Sequence, residues 1–216
     1  MTKTDICNLA LSKIGSEGGL ITAGAFTNPT TDKSKEAVLC AQFYDQTLGE
    51  VLSIGVWNCA KARAALVADV TAPLFGWRTS FAIPADCTRP LAFFSSKTQR
   101  EDTVDWVVEG AKILSNSDEG YLLYVKTLTE AAMPRIFISV LVQALAIKLC
   151  YPLTQDMNIQ KVLIQEMQEI VLPEARRVNA FEGYRRPIIQ SDWMDATVSS
   201  GEMYRALDVT PVPFNF

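Results

Sequence analysis

The chain has no histidine among its 216 residues. That absence excludes Ser-His-Asp and Cys-His nucleophilic catalysis, most zinc sites and the usual proton shuttle near neutral pH. Cysteine is scarce too. Cys7, Cys40, Cys59, Cys87 and Cys150 make an odd set with no C-x-x-C pair, so metal-ligand and redox spacings are missing. These thiols read as buried side chains in a reducing cytoplasm. Gly18 and Gly19 belong to no phosphate-binding loop, because neither G-x-x-x-x-G-K-[ST] nor G-x-G-x-x-G follows a strand pattern. Basic charge is not in excess: the net charge is −4, which argues against strong nucleic-acid binding but is compatible with a weak sliding contact with DNA. No run reaches the roughly 20 apolar residues of a membrane span. The most apolar stretch, 136–150, contains Gln143 and Lys148 and reads as a buried helix. Residues 1–5 carry no apolar leader, so a soluble protein made in a cytoplasm is expected, with no membrane partner.

What is present is a globular composition, 49% apolar and 20% charged, in a chain long enough for one or two domains. Thr4 is placed to cap a first helix with Ile6, Leu9, Ala10 and Ile14 on its apolar face and Gly15 at its end. A second helix is expected to start within 30–34 and run to Ile54, burying Ala37, Ala41, Tyr44, Leu48 and Val51, with Gly55 as its stop. The period then changes. Segments 77–83, 91–94, 103–108, 112–115 and 121–126 read as short strands, and 109–111 and 116–120 as hairpin turns. Residues 57–66 fit strand or helix equally.

Pro134 is expected in the first turn of a third, central helix that Pro152 ends. A fourth helix, about 158–182, carries Ile159, Val162, Leu163, Met167, Ile170, Val178 and Phe181 at helical spacing, with a kink expected at Pro173. Periodicity dissolves after Gly183. The segment 184–216 reads as an extended tail rich in aromatics and proline, either packed on its own subunit or, as the lost periodicity favours, docked on a partner. The organisation is therefore α+β: helical parts at 1–56 and 128–183, a β-rich insertion at 57–127, and a docking tail at 184–216.

The stretch 57–91 is rich in anchors (Trp57, Trp77, Phe81) and arginines (Arg63, Arg78, Arg89) but holds no chemistry, and it reads as architectural. Glu101, Asp102 and Asp105 crowd together, and they read as a solvated loop. A cell-wall glycosidase using Glu101 and Asp105 is the enzymatic alternative. Asp86, after Pro84 and Ala85, is expected to accept from turn amides. Arg176 and Arg177, with Arg185 and Arg186, form the one basic cluster, serving either the helix dipole or an acidic neighbouring subunit.

Several patterns in order carry a resemblance. They are I-C-N-x-A-L-x-x-I-G from Ile6, Val51-Leu52, W-x-x-A-x-x-R-x-x-L from Trp57, and the aromatic strand from Trp77 followed by P-x-D-C-x-R with Pro84, Asp86, Cys87 and Arg89. They continue with Glu109-Gly110 and Ile113-Leu114, the apolar helix 137–149, and a long helix ending in Glu174, Ala175 and Arg176. In this order, over about 5–183, the chain resembles the tail tubular protein A family of short-tailed phages, the head-to-tail adaptors beneath the portal. Cys59 departs from the family's W-x-F-A pattern, and the tail matches least.

The resemblance implies a virion structural protein and no enzyme, without catalytic, cofactor or metal residues. It implies a homo-oligomeric ring, a dodecamer, that binds the portal and a downstream tail tube or nozzle protein and lets double-stranded DNA pass with weak contact. The implied location is the virion, with the host cytoplasm during assembly. The residues it suggests for the portal interface are Trp193, Arg185, Arg186, Tyr204, Phe214 and Phe216. A non-virion α+β binding or assembly protein is the remaining alternative.

Overall fold

The computed structural model describes residues 1–15, 21, 34–98 and 104–183. The chain divides into two units, Met1–Glu182 and Gly183–Phe216. The first unit is α+β, with helices and two small antiparallel sheets. The tail expected over 184–216 lies outside the described residues.

α1 (Lys3–Ile14) is capped by Thr2, not by Thr4. Asp5 decides this, because it stands three residues after Thr2 and closes a reciprocal box. Its amide donates to Thr2 Oγ1 at 3.2 Å and its carboxylate accepts from the Thr2 amide at 2.8 Å. Gly15 ends the helix at φ 65, where a Cβ would be strained. Cys7 and Leu11 join Ile6, Ala10 and Ile14 in the buried set, while Leu9, expected there, is exposed.

α2 (Lys35–Ile54) starts at Ser34, whose Oγ accepts from the Ala37 amide. Cys40, one turn before Tyr44, takes the buried position expected for the exposed Ala41.

α3 (Arg135–Thr154) is the central helix, with Phe137, Val140, Leu141, Leu145 and Leu149 wholly buried. By length and composition alone it is apolar enough to cross a membrane, but these side chains are already covered by other parts of the protein. Pro134 is its cap residue. Pro152 does not end it. So near the C-terminus proline forfeits only one hydrogen bond. The end is held instead by Thr154 Oγ1 donating to the Cys150 carbonyl at 2.8 Å and by Gln155, at φ 54, donating to Tyr151 at 3.0 Å.

The last helical path has three parts: α4 (Met157–Glu166), capped by Asp156, a π-helical turn Met167–Val171, and α5 (Leu172–Phe181). The kink expected at Pro173 takes the form of that wide turn. Pro173 has no N–H for the Glu169 carbonyl, and the turn just before it absorbs the interruption. Of the apolar face expected here, Leu163 and Met167 are buried with Ala175, whereas Ile159, Val162, Ile170 and Phe181 are exposed.

Residues 57–66 resolve into a 3-10 turn, Asn58–Ala60, and β1 (Lys61–Leu66). β2 (Thr79–Ala82), β3 (Cys87–Phe94), β4 (Trp106–Glu109), β5 (Lys112–Ser115) and β6 (Gly120–Lys126) come after it. One sheet has the order β1-β6-β3 and the other β2-β5-β4. Pro90 sits on β3, an edge strand, next to an irregularity in its register with β6, the setting in which proline is found within sheets.

Gly110, at φ 60, turns the β4–β5 hairpin as expected. The segment 116–120 is not a hairpin turn, since β5 and β6 belong to different sheets; it is the crossing between them. The chain beyond β1 also bridges to β2 through Ala68 and Phe81, tying the sheets at a second place.

Alternation along β6 serves two cores. Leu122 and Tyr124 pack with Phe81, Phe93 and Ile113 in the β core, while Val125 joins the helical core. Trp57 belongs to the helical core, not to the β-rich part. Its indole donates to the Val51 carbonyl at 2.8 Å, and its ring meets Phe137 edge-on at 5.3 Å.

Candidate interaction surface

β1 and β2 are joined by a loop, 67–78, that runs V-A-D-V-T-A-P-L-F-G-W-R. Val67, Val70, Leu74 and Phe75 are between 83% and 105% exposed. Scattered exposed apolar residues need no explanation, but these four are the most exposed large hydrophobic side chains among the described residues and they share one loop.

The loop is held at both roots. At the first, the Asp69 amide donates to the Ser80 carbonyl at 2.8 Å, Ser80 Oγ donates to the Asp69 carboxylate at 2.9 Å, and Lys112 Nζ sits 2.8 Å from it. Those bonds, from Lys112 first and Ser80 second, hold the Asp69 carboxyl below its ordinary value. At the second root, the Arg78 amide donates to Asn116 Oδ1 at 3.1 Å and the Arg78 guanidinium pairs with Asp118 at 3.1 Å. Gly76, at φ 80, makes the bend that a Cβ would resist. The tip residues Leu74 and Phe75 line an open groove of about 400 Å³ together with Thr71, Pro73, Trp77, Ser80 and Leu114 among others. Leu74 and Phe75 remain almost fully exposed at that groove.

Further apolar side chains stand exposed along α4, the π turn and α5, with Arg177 lying over the Phe181 ring. Val162, Ile170 and Phe181 are 62% to 64% exposed, with Ile159 one turn before Val162. Ile170 and Phe181 stand eleven residues apart, close to three helical turns, which keeps them on one side. The end of α5 is fastened by Asn179, whose Oδ1 accepts from the Asn58 amide at 2.8 Å and whose Nδ2 donates to the Val56 carbonyl at 2.9 Å.

Of the residues proposed from sequence for a partner interface, Trp193, Arg185, Arg186, Tyr204, Phe214 and Phe216 all lie outside the described residues, as do Glu101 and Asp102. Asp105 is exposed, and its main-chain carbonyl accepts from Ser115 Oγ at 3.0 Å. Asp86 does not bind turn amides with its carboxylate. It accepts instead from the Tyr124 hydroxyl at 3.1 and 3.2 Å, and burial followed by this bond raises the Tyr124 pKa.

Arg177 is engaged by Glu174 at 2.8 Å and lies over the Phe181 ring, whereas Arg176 lines a small groove with Ile54 and Trp57. Arg63 faces a cleft of about 170 Å³ together with Lys97 and Tyr121. Arg89 reaches back to the helices, where its Nη1 donates to the Ser53 carbonyl at 3.3 Å.

All five cysteines are free thiols. The Cys7 thiol is pushed up by its hydrogen bond with Cys40 and by burial, and burial also raises Cys59 and Cys87, the reverse of nucleophile activation. Among the described residues no group of three or more His, Cys, Asp or Glu is placed to hold a metal ion.

Sequence reasoning missed the loop. It read 57–91 as architecture because V-T-A-P-L-F-G-W looks the same whether it is core or interface. The available signal was an uncharged apolar run, 70–77, holding both Pro73 and Gly76, which no strand interior accommodates well. Against known proteins, no family model matches the chain, and no curated protein matches it.

Proposed function

We propose that this protein is a structural protein of a phage virion: a ring-forming adaptor that joins the portal to the tail tube or nozzle and contributes to the DNA conduit. The observation that carries the reading is the apolar loop 67–78, pinned at both roots and uncovered at its tip. Such a surface serves a protein whose working state is an assembly. The resemblance of the ordered sequence patterns to those of head-to-tail adaptors suggests the kind of assembly.

The mechanism is geometric. Identical subunits close a ring through a heterologous contact, which needs no reactive group. A net charge of −4 suits a conduit, since a basic lumen would hold the phosphates of passing DNA. The tail 184–216, with Trp193 as an anchor, is the segment proposed to reach the portal.

Mass spectrometry of purified virions tests the reading, with the protein expected at a copy number matching a ring. Absence from mature particles that contain the other tail proteins overturns it. Truncation after Gly183 is expected to leave a folded protein that no longer binds portal in negative-stain mixtures, and normal binding by that form refutes the role of the tail.

A further inference from the structure

We infer that the open end of the β1-β6-β3 sheet is a docking cleft for an extended acidic peptide of a partner protein. Arg63 and Lys97 take its carboxylate, and Ala65, Phe94 and Tyr121 take an apolar side chain two residues away. The inference goes beyond the adaptor reading and does not rest on it.

Strand register builds the cleft. Arg63 stands opposite Leu123, and Tyr121 has Ala65 on one side and Phe94 on the other, so these five share one face of the sheet. The helical core covers that face at Val125, two residues beyond Leu123. Toward Tyr121 a cleft of about 170 Å³ opens instead, lined by these side chains together with Ser96 and Lys97. Ala65 is too small to fill it.

Charge selects the occupant. Arg63 reaches the cleft from β1 and Lys97 from the segment after β3, and neither side chain has an ion pair or hydrogen bond among the described residues. Glu119 is taken by the Tyr121 hydroxyl at 2.9 Å and pairs with neither cation. Two like charges brought to one cleft repel each other, and a bound anion relieves that repulsion. The planar fork of arginine matches a carboxylate with two parallel hydrogen bonds.

The edge gives the occupant its shape. Among the described residues no strand pairs with the outer side of β1 over Lys61–Leu66. A peptide laid along that edge finds main-chain donors and acceptors, and its alternate side chains lie on the Arg63 face. The side chain opposite Arg63 meets the guanidinium, and the one two residues on lies over Ala65, beside Tyr121 and Phe94. Nucleic acid fits less well. A duplex is far wider than this cleft, and it draws its affinity from many phosphate contacts, not from two cations.

Fluorescence anisotropy with the full-length chain tests the cleft. The probe is a dye-labelled octapeptide with threonine at every second position and glutamate and leucine alternating at the others. A control peptide carries glutamine in place of glutamate. The glutamate peptide is expected to bind, and the control to bind about tenfold more weakly. Arg63→Gln/Lys97→Gln is expected to weaken the glutamate peptide by about tenfold. Ala65→Leu keeps both cations but fills the cleft, and a loss of similar size is expected, with circular dichroism of both variants matching the parent. Arg135→Gln removes an exposed cation that lines no part of the cleft and is expected to leave binding unchanged.

No binding of the glutamate peptide, equal binding of the two peptides, full affinity in the double variant, or an equal loss in Arg135→Gln each overturn the proposal. So does duplex DNA that displaces the peptide and loses its own affinity in the double variant, which would give the cleft to phosphate.

Discussion

Gln143 offers the sharpest test of how the helical core is held. It sits in the middle of α3 and is wholly buried, with its Nε2 donating to the Leu163 carbonyl at 2.9 Å and to Glu166 at 3.0 Å. Its Oε1 accepts from Lys13, so one side chain ties α1, α3 and α4 together. Gln143→Leu keeps the volume and removes all three bonds. Hydrogen bonds to charged groups contribute about 1.5–3 kcal/mol each, which gives a gross loss of roughly 3–6 kcal/mol for the two charged partners.

Several terms bring that down. Lys13 and Glu166 still pair with each other at 3.0 Å and keep partial access to water. The Leu163 carbonyl still accepts from the Met167 amide. The added apolar burial offsets part of the remainder. A net loss of about 2 kcal/mol is expected, which for a chain of this size is about 4–8 °C in Tm. Urea denaturation followed by circular dichroism measures it, with Lys13→Met and the double variant completing a cycle. A Gln143→Leu protein within about 0.5 kcal/mol of wild type, or above it, would show that the polar tie stabilises nothing and refute the reasoning.

Gly120 admits no side chain, because an added Cβ would meet Phe93 at 2.9 Å and Phe81 at 3.0 Å. Gly120→Ala is therefore expected to cost about 1–3 kcal/mol in the same assay, and a neutral result would mean that the β core yields easily. Trp57→Phe leaves the buried ring contact with Phe137 but strips the Val51 carbonyl of its indole donor. A loss of about 1–3 kcal/mol should appear as a shifted urea midpoint with an unchanged slope. For pH, Lys13 and Gln143 hold the Glu166 carboxyl below its ordinary value, and Lys148 does the same for Glu50. A carboxyl depressed in the folded state contributes stability above the unfolded pKa, about 4.3, and that contribution is lost as pH falls through the lower folded value. The gap in stability between wild type and Lys13→Met should thus be full at pH 7 and shrink below about pH 4; a gap that widens on acidification contradicts the assignment.

Local signals made much of the fold legible. The apolar spacing and caps placed the start of α2 within 30–34 and its end near Ile54, where the structure has Ser34 as cap and Ile54 as last residue, and Gly110 marked the β4–β5 turn. Pro173 located the interruption of the last helix within a few residues. Errors arose where a local rule met a tertiary alternative. Pro152 read as a terminator because its missing bond is local information, while the side chains that hold the end of α3 are fixed only by folding. The turn 116–120 read as a hairpin because Gly and Asn specify a reversal without specifying which sheet the next strand joins.

The sequence by itself determined the class of this protein, its α+β alternation and the absence of histidine chemistry, because periodicity, caps and residue types act over a few neighbouring positions. Only the tertiary structure decided which apolar residues are core and which are surface. Val70, Leu74 and Phe75 have the composition of a core but stand in water, since the roots of their loop are fixed by the nearby Ser80 and by Lys112, Asn116 and Asp118, which are distant in sequence. Burial depends on what the rest of the chain brings alongside, and no short window of sequence contains that.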